Sequence, residues 1–139
     1  MQGSNQRLEY LLSSAHQAMA EGRRDKAIPI WNQILQQAPS HPHALFFLGQ
    51  DAMQMRDFAR ARQLLTAAAA AAPREPGVHF SLAAVRRAMG DIQGEWDALE
   101  QALKIDPHFF PARLAMGMAL EKAGKTRQAA RIYKDALAI

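Results

Sequence analysis

The stretch from residue 42 to residue 75 reads PHALFFLGQDAMQMRDFARARQLLTAAAAAAPRE, and it contains the features that decide the fold. An apolar segment leads through a polar turn into an alanine-rich segment, which Pro73 ends. Pro39 and Pro107 lie 34 residues before and after Pro73, and similar residues recur in phase between these prolines. A fixed period of this length is typical of stacked helix pairs that bury their apolar faces on each other. The sequence therefore predicts a helical repeat array.

Columns of equivalent residues support this period. Small residues mark points where two helix axes approach closely, and bulky residues fill the space beside them. The small columns are Ala15, Gly49, Ala83 and Gly117, and Ile34, Ala68, Ala102 and Ala136; the bulky columns are Trp31, Leu65, Leu99 and Tyr133, and Leu35, Ala69, Leu103 and Leu137. Glycine adopts the left-handed conformation that ends a helix at no steric cost. Gly22, Gly90 and Gly124 occupy the predicted helix ends, and Arg56 is the one departure.

The same spacing gives the boundaries of four helix pairs. We predict helices over 6–21 and 24–37, 42–54 and 58–72, 76–89 and 92–105, and 110–123 and 126–138. The predicted fold class is all-α, with repeats over about 8–41, 42–75, 76–109 and 110–139. We interpret residues 1–5 as an N-terminal tail or expression remnant and residues 6–139 as a single repeat domain.

The second repeat carries Leu45-x-x-Leu48-Gly49-x-x-Ala52, then Ala61-x-x-x-Leu65 and Pro73. This pattern resembles the tetratricopeptide repeat (TPR), which has Trp or Leu, Leu-Gly and Tyr on its first helix, then Ala, Phe and Pro. The resemblance covers the chain from about Gln6 to Ile139. It implies a right-handed superhelical solenoid of four helix-turn-helix repeats, acting as a protein-interaction scaffold rather than an enzyme. The expected partner is a protein or peptide.

The resemblance also implies where a partner binds, because the first helices of successive TPR pairs line a concave surface. We predict a groove floor of aliphatic, aromatic and methionine side chains, rimmed by Arg87, Glu121 and Lys122. Methionine suits an imprecise apolar partner because its side chain is flexible. The alternative is that the first column below is scaffold, since rings there also pack on their neighbours. The predicted groove residues are Leu12, Phe46, Phe80 and Leu114; His16, Gln50, Ala84 and Met118; and Met19, Met53, Arg87 and Glu121.

The last predicted helix still presents Tyr133, Ala136 and Leu137 as the sequence ends. A stack of helix pairs exposes an apolar face at its last repeat unless a polar helix caps it. We therefore expect either a fragment of a longer polypeptide or a homodimer through this uncapped helix. Segments 43–49 and 130–137 are similar to the helical leader of bacterial aspartyl/asparaginyl β-hydroxylase-like proteins, where the repeats precede an iron and 2-oxoglutarate oxygenase domain. That resemblance implies an alternative role as an arm that positions or dimerises an attached enzyme, and it transfers no catalytic residue.

The third helix pair departs from the pattern at three places. Glu95 stands where a small residue is expected, Arg86 replaces Tyr or Ala, and His79 replaces a bulky apolar residue. A lone charge at a helix crossing is costly, so we predict a partly buried ion pair between Arg86 and Glu95. The alternative interpretation is a catalytic role for Arg86, Glu95 and His79, in which Glu95 and His79 share acid–base work.

Composition limits the remaining function classes. The chain has no cysteine, and His41-Pro42-His43 is interpreted as a turn between repeats, so neither a metal site nor a cofactor is predicted. The formal net charge of +4 makes nucleic-acid binding a second alternative, but acidic residues are interleaved with the basic ones, so we do not expect it. The sequence has no apolar segment typical of a secretory signal or membrane span. We therefore predict a cytoplasmic location and no membrane partner.

Overall fold

A computed structural model describes residues 2–138, and the fold class over this range is all-α. Seven of its eight helices begin and end within one residue of the predicted positions. The exception is α1, which begins at Gln2, because no proline or turn signal interrupts the helix before residue 6. The helices are α1 (Gln2–Ala20), α2 (Arg24–Gln37), α3 (Pro42–Gln54), α4 (Phe58–Ala71), α5 (Pro76–Ala88), α6 (Ile92–Ile105), α7 (Phe110–Lys122) and α8 (Thr126–Leu137).

The chain divides into two compact units, which we call unit 1 (Met1–Pro73) and unit 2 (Arg74–Ile139). In unit 1, α1 packs against α2, α3 packs against α4, and α2 also contacts α3. Unit 2 repeats this arrangement, with α5 against α6, α7 against α8, and α6 against α7. Each unit therefore contains two of the predicted helix pairs.

Each unit has a core made from the predicted columns. In unit 1, Trp31 and Ile34 are completely buried together with Ala15 and Ala27. In unit 2, the corresponding cluster is built on Leu99, with small residues around it that include Ala83, Ala98, Ala102 and Ala112. Alanine and glycine at these places allow the helices to approach closely, and a few large side chains fill the remaining space.

Gly49 and Gly117 lie at such points of close approach. A Cβ atom built on Gly49 would lie 2.7 Å from Cγ and 2.9 Å from Cδ2 of Leu65 on the paired helix. On Gly117, it would lie 2.6 Å from Cζ of the Tyr133 ring. Real Cβ atoms do not approach other carbons this closely, so both contacts depend on the missing side chain.

A left-handed residue ends the first helix of every pair. Gly22, Gly90 and Gly124 have φ angles of 70°, 78° and 78°, and Arg56 has the same conformation with a φ of 62°. In each case, the next residue donates its N–H to a carbonyl five residues earlier, as Asp57 does to Ala52 at 2.9 Å. Four repeats therefore share one turn geometry, and the second repeat forms it without glycine.

The second helix of each pair begins in one of two ways. Asp57 and Asp91 are N-caps whose Oδ1 atoms accept the backbone N–H groups of Arg60 and Gly94 at 3.3 and 2.9 Å. Arg23 and Lys125 occupy the equivalent places before α2 and α8, where no side chain caps the helix. The first turns of α2 and α8 therefore lack a hydrogen bond that α4 and α6 have.

Candidate partner-binding surfaces

The residues predicted to line a groove form two sets on first helices, one in each unit. We call them the first-helix faces. None of these residues is buried, and half of them are exposed. The face of unit 1 consists of Leu12, His16, Met19, Phe46, Gln50 and Met53, and the face of unit 2 consists of Phe80, Ala84, Arg87, Leu114, Met118 and Glu121.

An aromatic cluster joins α1 to α3 on the first-helix face of unit 1. The exposed ring of His16 meets the edge of the His43 ring at a centroid distance of 5.5 Å and lies 6.4 Å from the Phe47 ring. Phe47 in turn lies 5.4 Å from Phe46. His43 and Phe47 were not among the predicted face residues, because one sits at a helix start and the other one position away from the predicted column.

Trp31 forms the buried floor of this cluster. Its ring stacks on Phe47 at a centroid distance of 4.9 Å and meets His16 edge-on at 5.2 Å. Its Nε1 atom is buried and has no hydrogen-bond acceptor within residues 2–138. The His16 and Phe47 side chains therefore rest on a rigid aromatic base, which restricts their rotamers.

His41 has the structural role that was predicted for the His41-Pro42-His43 turn. Its Nδ1 accepts the backbone N–H of Ala44 at 3.4 Å, and Pro42 occupies the first position of α3, where a missing N–H costs nothing. Burial lowers the pKa of His41, and the nearby His43 and His16 rings lower it further. Within residues 2–138, no group of three His, Cys, Asp or Glu side chains is placed to hold a metal ion.

The first-helix face of unit 2 is more exposed. Leu114 and Met118 lie one helical turn apart on α7 and are 41% and 50% exposed. Phe80 on α5 is half-buried, and its ring lies 5.9 Å from that of Phe109 at the start of α7. Large apolar side chains this exposed on a helix are a candidate contact surface.

The charged residues beside this face correct one prediction. Arg86 does not pair with Glu95; its Nη1 donates to the Gly94 carbonyl at 3.0 Å. Glu95 is paired with Arg87 instead, at 3.8 Å from Nε to Oε2. Adjacent helix residues point about 100° apart, so only one of two neighbouring arginines faces Glu95. Gly94 explains why Arg86 fits at the crossing, since a Cβ there would lie 2.9 Å from Arg86 Cδ.

Glu95 is a buried carboxylate whose neighbours compensate for its burial only in part. Burial raises the pKa of Glu95, whereas the positive charges of Arg87 and Lys122 act in the opposite direction. Arg87 is half exposed, so its attraction is screened by solvent. The pair joins the end of α5 to the start of α6, and its Arg87 belongs to the first-helix face of unit 2.

Glu121, at the other edge of this face, interacts with Tyr133. Desolvation raises the pKa of the Tyr133 hydroxyl, and the hydrogen bond to the Glu121 carboxylate raises it further.

Comparison with known protein families and solved structures identifies this helical repeat fold. The family model described as tetratricopeptide repeat matches residues 18–85. The chain has the all-helical fold of tetratricopeptide repeat (TPR) proteins. That match includes residues of both units, and the four-fold recurrence of the turn and crossing geometry extends the TPR pattern to the remaining helices. No curated protein matches the chain.

Solved structures share this fold. A crystal structure of MamA matches with a TM-score of 0.84 at 24% sequence identity. The matched region covers 94% of this chain and 77% of the MamA chain. MamA from Desulfovibrio magneticus RS-1 gives a TM-score of 0.82 at 18% identity, with coverage of 94% and 74%. The O-GlcNAc transferase of Thermobaculum terrenum gives 0.75 at 29% identity and covers 84% of this chain, which spans 22% of that protein. None of the helices within residues 2–138 is long and apolar enough to cross a bilayer.

Proposed function

We propose that this TPR chain is a non-catalytic interaction module that binds an apolar segment of a partner protein on its first-helix faces. One observation carries the proposal: Leu114 and Met118 are exposed large apolar side chains one helical turn apart on α7. Apolar side chains gain free energy when a partner covers them, by about 25 cal/mol for each Å² removed from water. TPR modules commonly bind proteins, which supports the assignment.

The face of unit 1 suits the same kind of partner. Met19 of α1 is 37% exposed. Met53, at the equivalent position of α3, and Phe46 of the same helix are half-buried. Methionine adapts its shape to different apolar partners, whereas the stacked Phe47 and Trp31 rings provide a rigid base. A partner would therefore meet an adaptable surface on an ordered support.

The polar groups next to these faces already have structural partners, which supports a binding role over catalysis. Arg86 donates to the Gly94 carbonyl, Glu95 pairs with Arg87, and His41 caps α3. A catalytic acid or base needs access to a substrate proton, and these groups are engaged in holding helix ends together.

Selection of random peptides displayed on phage, followed by calorimetric titration of one selected synthetic peptide, tests the proposal. Leu114→Ser and Met118→Ser should each weaken binding by about tenfold, the effect expected for truncation of a buried contact. Leu137→Ser is the matched control, because Leu137 is an 83% exposed apolar residue of α8 and lies off the first-helix faces. Equal affinity for the wild type and both α7 variants would reject these faces as the binding surface.

A second candidate is an arm attached to an enzyme. The part of the Thermobaculum terrenum O-GlcNAc transferase structure that matches is a fraction of a longer enzyme chain. Intact-mass measurement of the protein isolated from its own cells tests this alternative. A mass well above that of these 139 residues supports an attached domain, and agreement with this length rejects it.

A further inference from the structure

Opposite charges occupy equivalent positions on the second helices of unit 2. Asp97 and Glu100 lie on α6, and Arg131 and Lys134 lie 34 residues later on α8. All four side chains are exposed. Because equivalent positions of successive repeats face the same way, unit 2 presents a row of negative charge beside a row of positive charge.

Neither row is neutralised by an ion pair within the described part of unit 2, residues 74–138. Asp97 accepts the side-chain N–H of Gln93 at 2.9 Å, and Glu100 accepts the indole N–H of Trp96 at 2.7 Å; both donors are uncharged. No acidic side chain within residues 2–138 lies at ion-pair distance from Arg131 or Lys134. The acidic row is therefore ordered by its own helix, and the basic row forms no ion pair with any acidic side chain of residues 74–138.

A mostly apolar cleft lies between the starts of α6 and α8, the two helices that carry the rows. It has a volume of about 370 Å³, and its lining is mostly apolar. The lining includes Ile92 and Trp96 of α6 and Leu120 of α7, with Lys125 and Gln128 at the start of α8. Ile92 is 76% exposed at its edge. A surface with an apolar cleft between one acidic helix and one basic helix is self-complementary.

We propose that two copies of this chain associate through this surface, which we call the α6–α8 face. A two-fold axis that lies between α6 and α8 and runs parallel to them places α6 of one copy opposite α8 of the other. Asp97 then faces Arg131 and Glu100 faces Lys134 at matching heights, and each ion pair occurs twice. The two clefts meet at the axis, where Ile92 of each copy is covered.

The charge pattern selects this axis over the alternative. A two-fold axis perpendicular to the helices would place α6 opposite α6 and α8 opposite α8, so that like charges face each other. Lys104 and Asp135 reverse the pattern at the C-terminal ends of α6 and α8, which confines the complementary contacts to two positions on each helix. This surface differs from the first-helix faces, so the inference does not depend on the proposed function.

Sedimentation velocity of the full chain tests the inference. We expect a reversible dimer with a Kd on the order of 10 µM, as a small contact area implies. Raising the salt concentration from about 0.05 M to about 0.5 M should weaken it about tenfold, because exposed charges are screened. A wild type that stays monomeric well above this concentration in low salt overturns the proposal.

Charge reversal gives the sharper test. The double variants D97K/E100K and R131E/K134E should each lose at least about tenfold in association, since every ion pair becomes a like-charge contact. An equimolar mixture of the two variants should associate again, because each restores the opposite charge for the other. R60E/R62E in α4 is the control, since it changes the net charge as much as R131E/K134E does and should leave the wild-type Kd unchanged.

Two other outcomes would reject the proposal: association through a different surface, and binding of nucleic acid by the basic row. If Leu137→Ser abolishes association while both charge reversals leave it intact, the copies meet through the end of α8 and the proposal is wrong. If R131E/K134E loses salt-sensitive retention on an RNA column while the wild type shows no dimer, the basic row binds nucleic acid instead. Circular dichroism of each variant must match the wild type, and D97N/E100Q provides a milder acidic variant if D97K/E100K does not fold.

Discussion

Replacing Gly49 by alanine tests whether α3 and α4 meet at the small-residue column. The new Cβ would lie 2.7 Å from Leu65 Cγ, and Leu65 is only 1% exposed, so its side chain has little room to shift. Alanine is favoured over glycine in a helix interior by about 1 kcal/mol. Forcing a methyl group into a packed core costs about 1–3 kcal/mol. We therefore expect Gly49→Ala to lower the free energy of unfolding by about 1 kcal/mol.

Gly77→Ala is the matched control, because a Cβ on Gly77 would meet no atom within 4 Å. The helix preference is then unopposed, and this variant should be more stable by about 0.5 kcal/mol. Urea unfolding measures both, with Trp31 fluorescence reporting on unit 1 and Trp96 fluorescence on unit 2, since these are the two tryptophans of the chain. If Gly49→Ala is as stable as the wild type or more so, the close contact with Leu65 is absent and the column argument fails.

Three other changes have expected outcomes that local geometry determines. Lys125→Asp should raise the free energy of unfolding by about 1 kcal/mol in urea, because the uncapped start of α8 gains an acceptor; Lys125→Ala should not. Arg56→Gly relieves a left-handed φ of 62° and should raise Tm, with a net gain of about 0.5 kcal/mol after glycine's greater flexibility is subtracted; a lower Tm would contradict this. Burial lowers the pKa of His41, whose neutral Nδ1 caps α3. The stability from this cap is present above the unfolded pKa of about 6.5 and is lost as the pH falls through the folded value, so His41→Asn, which caps without titrating, should flatten the fall of Tm in acid.

The helix pairs could be predicted from the sequence because their signals are local or periodic. Pro42, Pro76 and the left-handed glycines mark boundaries within a few residues of where they stand. The column containing Gly49 and Gly117 predicted the crossings because only small residues fit there, and both glycines lie against the expected bulky partners. Arg56 departed from the glycine column without changing the turn, since the surrounding hydrogen bonds hold its backbone in place.

Contacts between residues distant in sequence could not be predicted in the same way. The choice of Arg87 over Arg86 as the partner of Glu95 depends on side-chain direction at the end of α5, which the column pattern does not specify. The cluster of His16 with His43 depends on how α1 and α3 lie next to each other in unit 1. The partner-binding role of the first-helix faces and the arm suggested by the β-hydroxylase resemblance remain predictions.

Mapping where a selected peptide binds tests the central claim most directly. Two-dimensional amide NMR of the labelled chain, recorded during titration with the phage-selected peptide, locates the contact without any substitution. We expect the largest shifts on first helices, around Leu114 and Met118 of α7 and around Met19 and Phe46 of unit 1. Shifts concentrated on α6 and α8, with the first helices unchanged, would contradict it.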